Sequence, residues 1–345
     1  MSLFLRRLFF VFAFLPAFLN GQENQEVMGS FGKFIDAGDL KKHLSVLASD
    51  KYEGRETGKR GQKRSARYLA KEFKKIGASP PGDTSYFQTF ELSFKGHDTK
   101  DTGKKSITKV KTENVIAIIE GSDLKEEVIV ISAHYDHLGV KGKKVYNGAD
   151  DDGSGTVALL EIAQAFAEAK RAGYGPRRTI VFIAFTGEEK GLLGSKFYVS
   201  NPTYPLEKTV CNLNIDMVGR IDKAHEKDTN YVYIIGSDML STQLHALNEK
   251  ANELYGKLGL DYKYNDPKDK NRFYYRSDHY NFAKNNIPVI FYFNGVHEDY
   301  HRDTDEIHKI NFWMLEKRAR LVFYTAWLVA NQEKRITVDK KPPSR

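Results

Sequence analysis

From Asn114 onward, short apolar runs alternate with segments of helical period, and this alternation restricts the fold more than any other feature of the chain. The runs are Val115 to Ile119, Val128 to Ile131, Thr179 to Phe185, Val210 to Ile215, Tyr231 to Ile235 and Pro288 to Phe293. Helical patterns over Ser154 to Lys170, Gly191 to Val199 and Met239 to Leu258 lie among them, and Phe312 to Ala330 closes the series. A run that is apolar throughout suits a strand covered on both faces, and strands connected through helices are parallel. The pattern predicts an α/β fold with a mixed, mostly parallel central sheet flanked by helices. No internal repeat and no Gly-, Ser- or Pro-rich linker interrupts it, so one domain is expected over residues 28–335.

Ahead of that region, Asp39 before Leu40, Leu44 and Leu47 predicts a capped helix, and Gln62 to Ile76 predicts a second one ending at Gly77. Ser79-Pro80-Pro81-Gly82-Asp83 is a turn, Tyr86 to Phe94 alternates like a strand, and Lys95 to Glu113 has no period and reads as a surface hairpin or loop. The first residues carry Arg6 and Arg7, an apolar run from Leu8 to Leu19 and a polar stretch after Gly21. That is the layout of a signal peptide over residues 1–21, too short in its apolar part to span a bilayer. An exported protein, periplasmic or secreted and without a stable membrane span, is expected.

Cys211 is the single cysteine, which rules out an intramolecular disulfide, and its apolar neighbours Val210 and Leu213 predict a buried strand thiol. The 53 Lys and Arg against 45 Asp and Glu give a charge of +8. These basic residues are scattered rather than gathered into a stripe, so no nucleic-acid partner is expected.

Five segments carry potential metal ligands, several of them at the ends of predicted strands, where open α/β sheets form their crevices. Ser132-Ala133-His134-Tyr135-Asp136-His137 pairs a His with a carboxylate suited to hold its ring from behind. In Gly148-Ala149-Asp150-Asp151-Asp152-Gly153, three consecutive acids in a glycine-bordered turn repel one another unless cations neutralise them; helix capping explains such a cluster equally well. Glu188-Glu189 follows the strand ending at Phe185, and adjacent carboxylates there can divide metal binding from proton transfer. Asp216 follows a buried strand, and Tyr300-His301 supplies a late His.

Taken in order, His134-x-Asp136, Asp151-Asp152-Gly153-Ser154-Gly155, Glu188-Glu189-Lys190-Gly191-Leu192-Leu193-Gly194-Ser195, Asn214-x-Asp216-Met217 and Tyr300-His301 resemble the M28 family of zinc aminopeptidases. Glu53-Gly54-Arg55-Glu56-Thr57-Gly58 resembles the amino-terminal part of its bacterial members, so the likeness runs from about Leu40 to Lys309. The resemblance implies a zinc-peptidase, phosphorylase/hydrolase-like fold and two zinc ions bridged by Asp151. It implies that His134 and Asp216 complete one site, and that Glu189 and His301 complete the other. It further implies Glu188 as general base towards a metal-bound water, Asp136 behind His134 and Tyr300 at the oxyanion.

The implied substrates are peptides with a free amino terminus. Ser277-Asp278-His279 resembles a further wall of the family's site, with no role assigned. His137, His279 and His297 are candidates to support ligands from behind; His43, His97, His225, His245 and His308 are expected at the surface. Two other readings share the fold: a single-zinc glutaminyl cyclase, disfavoured by the consecutive acids, and a non-catalytic ectodomain, disfavoured by the intact ligand set.

Overall fold

Extended segments that are apolar on both faces need cover on both sides, and in the computed structural model, which describes residues 21–95 and 107–341, they have it. The strands are β1 (Phe87–Lys95), β2 (Ile107–Ile119), β3 (Leu124–His134), β4 (Gly139–Lys141), β5 (Lys144–Tyr146), β6 (Arg178–Phe185), β7 (Thr209–Ile215), β8 (Tyr231–Ile235), β9 (Gly259–Asp261) and β10 (Val289–Phe293). The helices are α1 (Gly21–Gly32), α2 (Ala37–Leu47), α3 (Arg60–Ile76), α4 (Gly155–Arg171), α5 (Leu193–Ser200), α6 (Thr242–Ala251), α7 (His279–Ala283) and α8 (Phe312–Asn331).

Eight strands form one sheet in the order β1-β2-β6-β3-β7-β10-β8-β9, with β4 and β5 as a separate small hairpin. Its middle, β6-β3-β7-β10, is parallel, as the strand-helix alternation requires. The antiparallel pairings are β1 with β2, β2 with β6 and β8 with β10. Every residue of β6, β7, β8 and β10 is buried. Successive residues of β3 enter different cores: Ile129 and Ile131 join Leu69, Leu159 and Leu315 of α3, α4 and α8, whereas Val128 and Val130 join Tyr198 of α5 and Phe282 of α7.

Several local expectations shift. Helix α2 is capped by Asp36, whose carboxylate accepts from the N–H of Gly38 at 2.7 Å, so Asp39 lies in the first turn instead. The segment predicted as one helix over Met239 to Leu258 ends its α-helical part at Ala251 and continues as a wider turn, Asn252–Gly256. The carboxyl half of Lys95 to Glu113 belongs to β2, paired with β1 from Lys95–Ile107 to Phe87–Val115. A two-stranded extension beyond the sheet needs little apolar period, which is why its sequence reads as loop. The predicted leader, except Gly21, lies outside the described residues, as does His97.

Cys211 is buried in β7, and burial pushes its thiol up to about 12. His43 is not at the surface: its ring is buried between the Tyr68 hydroxyl, 2.6 Å from Nδ1, and the Glu161 carboxylate, 3.4 Å from Nε2. Among the described residues no helix is long and apolar enough to cross a membrane. The parallel strands β3, β6 and β7 end side by side at His134, Phe185 and Ile215, which places His134, Glu188, Glu189 and Asp216 together; Asp151 lies just before α4, and Tyr300 and His301 lie in the segment after β10.

Candidate metal centre

The three consecutive acids fan out, each towards different partners. Asp152 turns inward and accepts from the main-chain N–H groups of His134, Gly155 and Met217 at 3.1, 2.9 and 3.1 Å. It ties the ends of β3 and β7 to the start of α4. Asp150 accepts from the Gly219 N–H at 2.7 Å and lies 3.1 Å from His297 Nε2. Asp151 alone faces the crevice, and the peptide joining it to Asp152 is cis.

Around Asp151 the donors form two groups. Its Oδ1 lies 3.3 Å from His134 Nε2, which is in turn 3.6 Å from Asp216 Oδ1 and 4.0 Å from Glu188 Oε2. On the other side its Oδ2 lies 3.1 Å from His301 Nε2, and that nitrogen is 3.5 Å from Glu189 Oε2. His134, Glu188 and Asp216 offer ligand atoms within 4.8 Å of one another, and so do His137, Asp151 and Glu189. All five residues read as ligands thus converge, with Glu188 beside the first group.

The supports of these side chains come from distant segments. Asp136 does not hold the His134 ring through its carboxylate, 3.8 Å away; Nδ1 meets the main-chain carbonyl of Asp136 at 3.1 Å. Asp216 accepts from Ser277 Oγ at 2.6 Å, the end of a buried chain in which Asn214 donates to Ser277 at 2.9 Å and Ser132 donates to Asn214 at 2.7 Å. Asp305 accepts from the N–H groups of Asp150 and Asp151 at 3.0 and 3.1 Å, fixing the turn that carries Asp151. Arg55, fully buried, donates to the carbonyls of Leu47, Tyr135, Asn147 and Gly148 and so spans both ligand-bearing turns. Met217 and His301 have φ of 54° and 57°, a left-handed backbone that costs energy for such side chains and collects at functional sites.

Sequence reasoning missed Arg55, Ser277 and Asp305 as supports, because a hydrogen bond to a remote carbonyl or amide leaves no spacing signal. Of the remaining histidines, His297 pairs with Asp150, while His279 is a core residue stacked on Phe291 at 4.8 Å, its ring pushed down to about 3 by burial. Arg220 is occupied by Asp299 at 3.0 Å. Arg276 donates to the Tyr300 hydroxyl at 3.2 Å, and Tyr300 stacks on His301 at 3.8 Å. Met217, Phe273, Phe291, Phe293 and Val296 wall a pocket that opens onto His134, Asp151 and Glu188.

The electrostatics fit a cation. Burial first, then the charges of Asp216, Glu189 and Asp278, hold the Glu188 carboxyl well above its ordinary range. Burial and Asp216 do the same to Asp152. Burial also penalises the Asp151 carboxylate, but His137, His134 and His301 together keep it well below the usual range. Asp151 Oδ2 and Glu189 Oε1 are buried without hydrogen bonds. Orphaned carboxylate oxygens facing imidazole nitrogens form an N/O donor set suited to zinc.

Comparison with known proteins gives the same picture. Residues 114–326 match the family model described as Peptidase family M28. The chain is 29% identical over 246 residues to aminopeptidase YwaD of Bacillus subtilis, covering 69% of this chain and 49% of that protein. It spans about half the length of the curated relatives it matches, 43% and 49% for two of them. The fold is similar to that of an aminopeptidase from Aneurinibacillus sp. strain AM-1, with a TM-score of 0.69 at 17% identity over 92% of this chain and 100% of that one. It is also similar to that of Porphyromonas gingivalis glutaminyl cyclase, with a TM-score of 0.62 at 20% identity over 84% and 97% of the two chains.

Proposed function

The chain belongs to peptidase family M28, and from that premise we propose that it is a two-zinc aminopeptidase, exported, that removes the first residue of peptides bearing a free amino terminus. The observation that carries this reading is the position of Asp151, one carboxylate whose two oxygens face different imidazoles, His134 at 3.3 Å and His301 at 3.1 Å. In this reading His134 and Asp216 hold one ion, Glu189 and His301 hold the other, and Asp151 is shared.

Bound zinc would supply the positive charge that acidifies a water and polarises the scissile carbonyl. The chain's own residues do the rest. Glu188 takes the proton of the attacking water and returns it to the leaving amine. Tyr300, aligned by His301 and Arg276, donates to the oxygen on which negative charge develops. The acids Glu188, Asp151 and Asp216 attract a terminal ammonium, which sets the first carbonyl over the donors. The adjoining wall of Met217, Phe273, Phe291, Phe293 and Val296 suits an apolar first side chain.

The test compares an unmodified peptide with its amino-acetylated twin, with and without chelator, by mass spectrometry. Stepwise loss from the amino end is expected, blocked by acetylation, abolished by chelation and restored by zinc. Internal or carboxy-terminal cleavage of the acetylated peptide would overturn the assignment. A glutaminyl cyclase would instead bind one zinc and leave every peptide bond intact.

A further inference from the structure

The ring of His137 lies beside the second donor group although none of the roles above requires it. Its side chain is fully buried, and Nδ1 stands 2.8 Å from Glu189 Oε1 and 3.8 Å from Asp151 Oδ2. The ring centroid is 6.1 Å from that of His301, across the same group. Neither ring nitrogen makes a hydrogen bond, nor does Glu189 Oε1 or Asp151 Oδ2. At 2.8 Å the contact with Glu189 has the length of a hydrogen bond but not its direction. Several buried polar atoms turned towards one place without bonds among themselves call for a common partner.

The ring is also held from outside the group. The His137 N–H donates to the Arg55 carbonyl at 3.2 Å, and the residue bridges to Glu56 in parallel. The ring lies against Gly148, where a Cβ would come within 2.5 Å of His137 Cδ2. Gly148 also has φ 53°, so both space and backbone conformation require glycine at that position.

We propose that His137 is a further protein ligand of the second metal, contributing Nδ1 alongside His301, Asp151 and Glu189. This rests on the two-zinc reading. It makes the two sites unequal: the second then has two imidazoles, whereas the first has only His134 beside its carboxylates. The second ion is then the more tightly held, and the His134/Asp216 ion leaves first on chelation.

Two measurements decide the matter. In full-length protein labelled with 15N-histidine and loaded with 113Cd, cadmium coupling to three imidazoles is expected; coupling to two only overturns the proposal. This uses the unaltered chain and does not depend on a variant folding. In parallel, His137→Phe, which retains a flat ring without a donor, is compared with wild type by equilibrium dialysis against zinc and elemental analysis. One of the two ions should bind at least about 10-fold more weakly, a loss no smaller than that for outer-sphere changes, while the other is unaltered. Two ions held with wild-type affinity in the variant also overturn the proposal. Fewer than two ions in wild type would bring down the two-zinc reading, and His137 as a ligand of the second ion with it.

Discussion

The main-chain N–H of Glu188 donates to Oδ1 of Asp136 across 3.2 Å, fastening the turn after β6 to the turn after β3. The other oxygen of that carboxylate accepts from the Thr57 hydroxyl at 2.6 Å. Asp136 thus aligns the segments bearing His134 and Glu188, while the His134 ring donates from Nδ1 to the Asp136 carbonyl.

Asp136→Asn presents an amide donor to one of two groups that themselves donate. We expect metal affinity or turnover to fall by about 10- to 100-fold, the range for residues that orient ligands. Thr57→Val should move both quantities the same way by less. Wild-type zinc dissociation constants and rates in Asp136→Asn would remove the aligning role.

Glu188→Gln separates binding from proton transfer, since the amide keeps the shape and cannot accept a proton from water. Near-normal zinc content with a rate loss of roughly 100-fold or more is expected. Equal losses of zinc and activity would make Glu188 a ligand, as its 4.0 Å approach to His134 Nε2 permits.

Arg55→Lys keeps the charge and loses the fork that reaches four carbonyls from Leu47 to Gly148. Leaving buried carbonyls unpaired should cost about 3 kcal/mol or more, read from urea unfolding at fixed zinc. The zinc dissociation constant should rise with it, because Tyr135 and Gly148 flank the ligand-bearing turns. An unchanged unfolding midpoint would show that water replaces the fork.

Asp278 is fully buried, neither carboxyl oxygen has a hydrogen bond, and burial pushes its carboxyl up to about 7. In the unfolded chain the same group ionises near the ordinary value of about 4. Between those values the folded state holds more protons, so the contribution of Asp278 to stability is present at low pH and lost as pH rises through that window. In chelator, wild type should lose stability relative to Asp278→Asn between about pH 4 and pH 7, leaving the variant the more stable above it. Thermal unfolding across pH measures this, and a difference that does not vary with pH would rule it out.

The sequence by itself determined the architecture and pointed to the residues that the structure brings together around Asp151. Largely apolar runs such as Ile180 to Phe185 fit central strands once helices separate them, because burial on both faces favours apolar residues at successive positions. The segments holding His134, Asp151, Glu189, Asp216 and His301 stood out as acids and histidines near the ends of apolar runs, and the family resemblance of their order singled out these five. Tertiary structure alone decided how the neighbouring acids divide their work: Asp152 bonds to main-chain amides, Asp150 to His297, and Asp151 faces the two imidazoles. It also decided that Arg55, Ser277 and Asp305 hold the site and that His137 lies within reach of Glu189. The physical reason is range. Periodicity and local turn chemistry are written in adjacent residues, whereas a hydrogen bond from Arg55 to Gly148, 93 positions apart, exists only after the sheet has brought the ends of its strands together.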